Sequence, residues 1–278
     1  MISISNLTRL PTADRPASFP MYTLPEIGNA ADLWWQGLAR HLAEAGVNRV
    51  PRALEKPTDL LMHWLDVDLL FSQTCGYPLT HLLDQRVALV ATPTYDAPGC
   101  DGVFYRSMIV VRDDLDATSL EDLHQCDVAI NSWDSQSGFN ALRARMAGLT
   151  VPGEQFFGRT LITTSHARSI AAVCAGEAQC AAVDAVTLAL FHRHRPDAVA
   201  PLRVLDQTGA APGLPYITRR DISTEEMDGL RHGLFSALAD PALEGARADL
   251  LLTGAEILEP GAYDVIHDME NAGKDVIL

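Results

Sequence analysis

Basic residues are scarce in this chain: 21 lysines and arginines stand against 36 aspartates and glutamates in 278 residues, a formal net charge of -15. A phosphate backbone needs a cationic face, so a nucleic-acid partner is excluded. Cysteine is scarcer still. The five (Cys75, Cys100, Cys126, Cys174, Cys180) are odd in number and contain no C-x-x-C pair. That excludes a disulfide scaffold and reads as mostly buried thiols, with Cys75 and Cys100 the two that could pair or lie near a site. Long apolar runs are missing too: no stretch of roughly 18 uninterrupted apolar residues exists, so no membrane-spanning helix is expected. The opening MISISNLTRLPTADRPASFPMY lacks a cationic start followed by an apolar run, so no secretory leader is visible and a cytoplasmic chain is expected from it. There is no Walker loop, G-x-G-x-x-G, G-x-S-x-G or H-E-x-x-H, which removes the usual nucleotide, hydrolase and zincin readings. His192 and His194 in FHRHRP are one ligand short of a metal site and read as a solvated helix end. No metal or other cofactor is called for.

What is present is a chain that can bury a core. Hydrophobic residues make up 47% and charged residues 21%, which excludes disorder and suits one large or two medium domains. Short β-rich runs alternate with helical patterns, the signature of an α/β fold. Helices are expected over 30–45, 139–147, 167–175, 186–194, 224–238 and 241–252, with Gly46, Gly148 and Gly176 as stops. A capping box, Ser119-Leu-Glu-Asp122, opens a further short helix. Strands are expected over 68–74, 86–92 (ended by Pro93), 104–111, 127–131, 160–164, 179–183 and 202–206. Trp34, Trp35 and Trp64 are expected in the core. The organisation suggests a discontinuous first lobe, 1–111 plus 203–278, with 112–202 inserted as a second lobe. Stretches near 104–111 and 202–208 would cross between them, leaving a cleft that can close on a ligand.

Several strand ends carry residues suited to anion binding. Asn131-Ser-Trp-Asp-Ser-Gln-Ser-Gly138 lies between a strand and a helix, where free backbone N–H groups and the helix dipole favour negative charge. Ser135 and Ser137 add hydroxyls, and Gly138 permits close approach; alternatively Asp134 or Ser135 is simply an N-cap. Thr163-Thr-Ser-His166 also precedes a helix and offers an imidazole, with Arg168 one turn on and expected to be solvated. Asp184 follows the strand Cys180–Val183, at the carboxyl end where open α/β sheets bind ligands. The other lobe offers Gln73, Thr74, Cys75 and Tyr77 beyond a strand, with Tyr22, Tyr105 and Ser107 as further candidates, each equally compatible with ordinary packing.

Taken in order, TPTYDAPGCDGVFYRSMIVVRDD, SLEDLHQCDVAINSWDSQSG and TTSHARSIAAVCAGEAQCAAVDAVT resemble the phosphate/phosphite/phosphonate substrate-binding proteins of ABC importers. The similarity covers roughly residues 70–215. It implies the type 2 periplasmic-binding-protein fold, two α/β lobes joined by two crossover strands around a ligand cleft. It further implies that Ser135, Gln136 and Ser137 bind a small oxyanion, that His166 and Asp184 contact it from the same lobe, and that Tyr105, Tyr77 and Tyr22 close the cleft from the other. A monomeric binding protein, periplasmic and delivering its ligand to an ABC permease, is the expectation that follows. Gln136 replaces the family's usual threonine, and SQTCGYP replaces its usual first-lobe loop. A cytosolic enzyme on the same fold, similar to chorismate dehydratases and using His166 or Asp184 as acid or base, and a ligand sensor are the alternatives, since fold alone does not decide function.

Overall fold

A computed structural model of the chain describes residues 14–151 and 153–278. The leader reading falls largely on residues 1–13, which lie outside the described residues. The described chain begins as an extended segment, bridged in parallel from Ala17 to Phe71. Helix α1 (Gly28–Glu44) follows. Its apolar face recurs at helical spacing and buries Trp34, Trp35, Leu38 and Leu42, whereas Leu33, on the next face, is 47% exposed. Helix α2 (Leu60–Trp64) buries Trp64. Of the strand expected over 68–74 only β1 (Ser72–Gln73) forms ladder pairs, and the end of SQTCGYP, from Gly76, opens an unexpected helix, α3 (Gly76–His81).

Strands β2 (Val87–Tyr95), β3 (Cys100–Asp101), β4 (Phe104–Tyr105) and β5 (Ser107–Arg112) come next. Half of the capping box forms: Asp122 accepts from the backbone N–H groups of Ser119 and also of Thr118, and only a 3-10 turn over Glu121–Leu123 follows. An alternating stretch then runs β6 (Val128–Ile130), α4 (Ala141–Met146), β7 (Thr160–Ile162), α5 (His166–Cys174), β8 (Cys180–Asp184), α6 (Ala185–His194), α7 (Pro196–Val199) and β9 (Leu202–Gln207). The chain finishes through β10 (Ala211–Pro212), β11 (Tyr216–Arg219), α8 (Thr224–Ala239), α9 (Glu244–Asp249), β12 (Leu252–Glu256) and α10 (Val265–Gly273). Gly46 and Gly176 take φ of 85° and 75°, the left-handed conformation of a C′ cap, while Gly148 does not.

Two main sheets organise these elements. The first has the order β1-β11-β2-β12, antiparallel throughout. Pro93 does not end β2, as expected; it falls where the strand exchanges β11, its partner to Ala91, for β12, its partner from Thr92. At such a changeover a missing N–H is tolerated. The helical tail expected over 241–252 stops at Asp249, and the chain turns at Leu251 (φ 58°) into β12. A small sheet, β10-β4-β3, lies beside it.

The second sheet has the order β7-β6-β8-β5-β9. Strands β7, β6 and β8 are parallel, and β5 pairs antiparallel with both β8 and β9. The runs expected as crossovers near 104–111 and 202–208 thus form β5 and β9, and the chain passes between sheets just before Ser107 and just after Gln207. Sheet membership therefore groups 107–207, a wider segment than 112–202. Separate cores lie under the two sheets: Trp34, Trp35, Leu38 and Phe71 in the first, and Ile109, Val128, Ile130, Leu142 and Phe157 among those in the second. Burial of each such side chain stabilises the fold by about 1.5–3 kcal/mol against an exposed one. Helix α10 joins the halves, packing on α3 on one side and α4 on the other.

Candidate ligand cleft

Because β7, β6 and β8 are parallel neighbours, their carboxyl ends lie along one edge of the sheet, and each leads into a helical turn. The three turns start on side-chain caps. Ser135 accepts from the Gly138 N–H at 3.0 Å, Ser165 from Arg168 at 3.3 Å, and Asp184 from Thr187 at 3.0 Å. The N-cap reading of Ser135 is therefore right, yet it leaves the hydroxyl proton free to donate. After β6 the chain makes a π turn, Gln136–Asn140, before α4, and its first N–H groups have no carbonyl within their own turn. A Cβ at Gly138 would overlap Asn131 Oδ1 and lie 3.2 Å from His166 Cε1, so Asn131 would have to move to admit one.

These ends border a cleft of about 390 Å³. Asn131, Ser135, Ser137, His166 and Asp184 line it from the second sheet. Met21, Tyr22, Trp64, Cys75 and Leu214 face them from the first. Ser137 Oγ lies 2.8 Å from His166 Nε2. With Ser137 donating, His166 keeps its proton on Nδ1, and that buried nitrogen has no partner in the protein. Tyr105 Oη, Ser107 Oγ and Asn131 Oδ1 are likewise buried and unpaired. Of these, Ser107 stands opposite Asp184 in the β5–β8 ladder. Orphaned buried polar atoms are costly, and their gathering around one cleft marks a place where a polar ligand completes the bonding.

The electrostatics are unusual for an anion site. Among the described residues no lysine or arginine lines the cleft; Arg168 instead reaches back to Thr164 Oγ1. Burial lowers His166 to a pKa of about 4, so it is a neutral donor at pH 7. Burial raises Asp184 to about 6, against which the Thr187 N–H and the Tyr22 hydroxyl, 3.2 Å away, favour its charged form. Cys75 and Cys100 are free thiols rather than a pair. The Cys75 sulfur accepts from the N–H groups of Gln136 and Tyr77, while burial keeps its pKa raised.

Two of the residues implied by resemblance lie elsewhere. The Gln136 side chain turns to α10, its Nε2 meeting Met269 Sδ at 3.1 Å and its Oε1 accepting from Asn140 at 2.8 Å. Tyr77 points away from the cleft: its hydroxyl donates to Glu270 at 2.7 Å and its ring stacks on His81 at 3.8 Å. Tyr105 is buried below the lining. Asn131 lines the cleft in its own right, at a strand end whose place is visible in the sequence. Tyr95, whose ring meets Tyr22 edge-on at 5.3 Å, is a contributor that no local pattern marks. Tyr95 borders a second, larger cavity of about 760 Å³, separated from the cleft by Pro20–Leu24, which touches both.

Comparison with known proteins bears on the family and the fold. A family model described as ABC transporter, phosphonate, periplasmic substrate-binding protein matches residues 63–263. No curated protein matches the sequence. Among solved structures, PhnD1 from Prochlorococcus marinus in complex with methylphosphonate superposes with a TM-score of 0.75 at 13% identity, covering 96% of this chain and 100% of that one. A binding-protein component of an ABC phosphonate transporter from Pseudomonas aeruginosa gives 0.74 at 18% identity, covering 94% and 87%. A Xanthomonas citri protein bound to ATP gives 0.69 at 14%, covering 95% and 97%. At such identities the structures establish a shared fold.

Proposed function

We propose, from the premise that this chain belongs to the phosphonate periplasmic substrate-binding proteins of ABC transporters, that its cleft holds a phosphonate as the singly protonated anion. The observation that carries this is the pairing of several donors with one buried carboxylate, with no lysine or arginine among the described residues of the lining. Ser135, the His166 Nδ1–H that Ser137 fixes by donating to Nε2, and the turn's N–H groups supply donors, and Asp184 supplies the acceptor. An R–PO₂(OH)⁻ group matches that set: its oxygens accept, and its P–OH donates to the Asp184 carboxylate. A sulfonate or sulfate has no such proton and would face Asp184 with an unpaired oxygen. The neighbouring cavity gives an organic substituent room beyond the headgroup. Release to a permease would follow lobe opening, with no bond made or broken.

The test is calorimetric titration of the purified protein with methylphosphonate and methanesulfonate, followed in parallel by Trp133, which is 51% exposed on the binding loop. Methylphosphonate should bind at least about 100-fold more tightly, equivalent to about 2.7 kcal/mol. Asp184→Asn should shrink that preference to within about tenfold. Equal affinity for the two anions in the parent protein would overturn the protonated-headgroup reading, and no phosphonate binding at all would overturn the site.

A further inference from the structure

Tyr77, which the cleft does not use, belongs to a second constellation on the far side of α3. His81 at the end of α3 meets His267 and Glu270, one turn apart on α10, and one donor atom from each lies within 4.8 Å of the other two. His81 Nε2 and Glu270 Oε2 are 3.0 Å apart. The remaining atoms of both groups are already tied down. His81 Nδ1 lies 3.0 Å from the Tyr77 carbonyl, a contact that a proton on Nδ1 satisfies, and Nε2 is the atom that faces the carboxylate. Thr80 Oγ1 lies 2.8 Å from the same nitrogen. Glu270 Oε1 accepts from the Tyr77 hydroxyl, which leaves Oε2 beside Nε2. Nε2 and Oε2 thus stand together beside His267, an imidazole nitrogen and a carboxylate oxygen presented at one place.

We propose that His81, His267 and Glu270 form a divalent transition-metal site of the zinc class, with Tyr77 as its positioning residue. Two imidazoles and one carboxylate suit zinc, which takes its ligands at about 2.0–2.2 Å and hence roughly 3.3 Å apart in a tetrahedron. His81 and Glu270 already stand near that separation, and a rotation of the partly exposed His267 ring completes the set. The rings of His81 and His267 have centroids 4.8 Å apart. The outer bonds from Tyr77 are of the kind that orient metal ligands and tune their affinity. No carbonyl of the chain is needed as a fourth ligand; water occupies the open position. Such an ion would clip α3 to the helix that packs against the binding loop's own α4.

Isothermal titration of the chelator-treated full chain with zinc chloride tests this, using magnesium chloride as the control. One zinc ion per chain should bind, magnesium should not, and cobalt(II) should show the strong visible bands of a site with few ligands. His81→Ala, His267→Ala and Glu270→Gln should each weaken zinc binding at least about tenfold, and Tyr77→Phe about tenfold through its outer bond, with methylphosphonate affinity unchanged in Tyr77→Phe. The double change His192→Ala/His194→Ala should leave zinc binding intact. Absence of saturable zinc binding, or binding that survives all three ligand substitutions, would overturn the proposal.

Discussion

The two walls of the cleft are built by different means. On one, three parallel strands end side by side, and hydroxyls, an imidazole and a carboxyl stand where the following helical turns begin. On the other, an extended segment, α2 and the start of α3 present rings and apolar side chains, with Tyr22 reaching across to Asp184. The first wall is fixed by backbone hydrogen bonding, so its polar atoms have little freedom. The second is fixed by packing, which tolerates changes of shape. Affinity for an oxyanion headgroup should therefore reside in the first wall, and choice among substituents in the second.

The hardest blow to this division should come from a single methyl group. In Gly138→Ala the new Cβ collides with Asn131 Oδ1, and phosphonate affinity should fall more than about 100-fold while overpacking costs about 1–3 kcal/mol of stability. Calorimetry and thermal melting separate the two losses. If affinity survives, the π turn is not the seat of headgroup binding.

Next in size is a pH effect inside the polar wall. Asp184 is raised to about 6, so between the ordinary carboxylate range and pH 6 the folded chain holds a proton that the unfolded chain has lost. Its contribution to stability falls as pH rises through that window. His166, lowered to about 4, does the opposite: below the ordinary imidazole range the unfolded chain holds the proton, and stability rises with pH. The two offset each other over roughly pH 4–6. Asp184→Asn removes one of them, so its stability relative to the parent should climb by up to about 3 kcal/mol from pH 4 to pH 6. Denaturant unfolding at stepped pH measures this, and parallel curves would remove the buried-carboxyl account.

Smaller effects sharpen the contrast. Ser137→Ala should weaken methylphosphonate binding by about 1–3 kcal/mol. Ser135→Ala should do the same and also lose its cap, about 0.5–2 kcal/mol of stability. Tyr22→Phe, on the packed wall, should cost less than about 1.5 kcal/mol in affinity. A Tyr22→Phe loss as large as that of Ser137→Ala, read in the same titration, would break the division.

Legibility in the sequence follows the same line. Ser135, Ser137, His166 and Asp184 lie just beyond β-rich runs and beside cap residues, so local pattern alone places them at helix starts on one sheet edge. The α/β alternation over 127–194 was readable for the same reason. The facing wall depends on contacts that no local pattern encodes. Tyr22 earns its position from Asp184, 162 residues away, and Tyr77 from Glu270, 193 away. Nothing near Tyr77 announced that the end of SQTCGYP would coil into α3 and carry the ring off the cleft. The bearing of the Gln136 side chain is not legible from its neighbours, because a π turn shifts each side chain off the direction that an α-helix would give it. β2 was cut short at Pro93 because a partner exchange is a property of β11 and β12, which lie far along the chain.

The segment Pro20–Leu24 touches both the headgroup cleft and the larger cavity behind it. One short length of backbone thus borders two rooms, one suited to the headgroup and one to what it carries. Tyr22 holds it with a φ of 20°, a conformation unusual for a residue with a side chain. Evolution could remodel the far room, by exchanging Tyr95, Leu54 or Leu60 around it, and so change which organic groups are admitted while every donor to the headgroup stays in place.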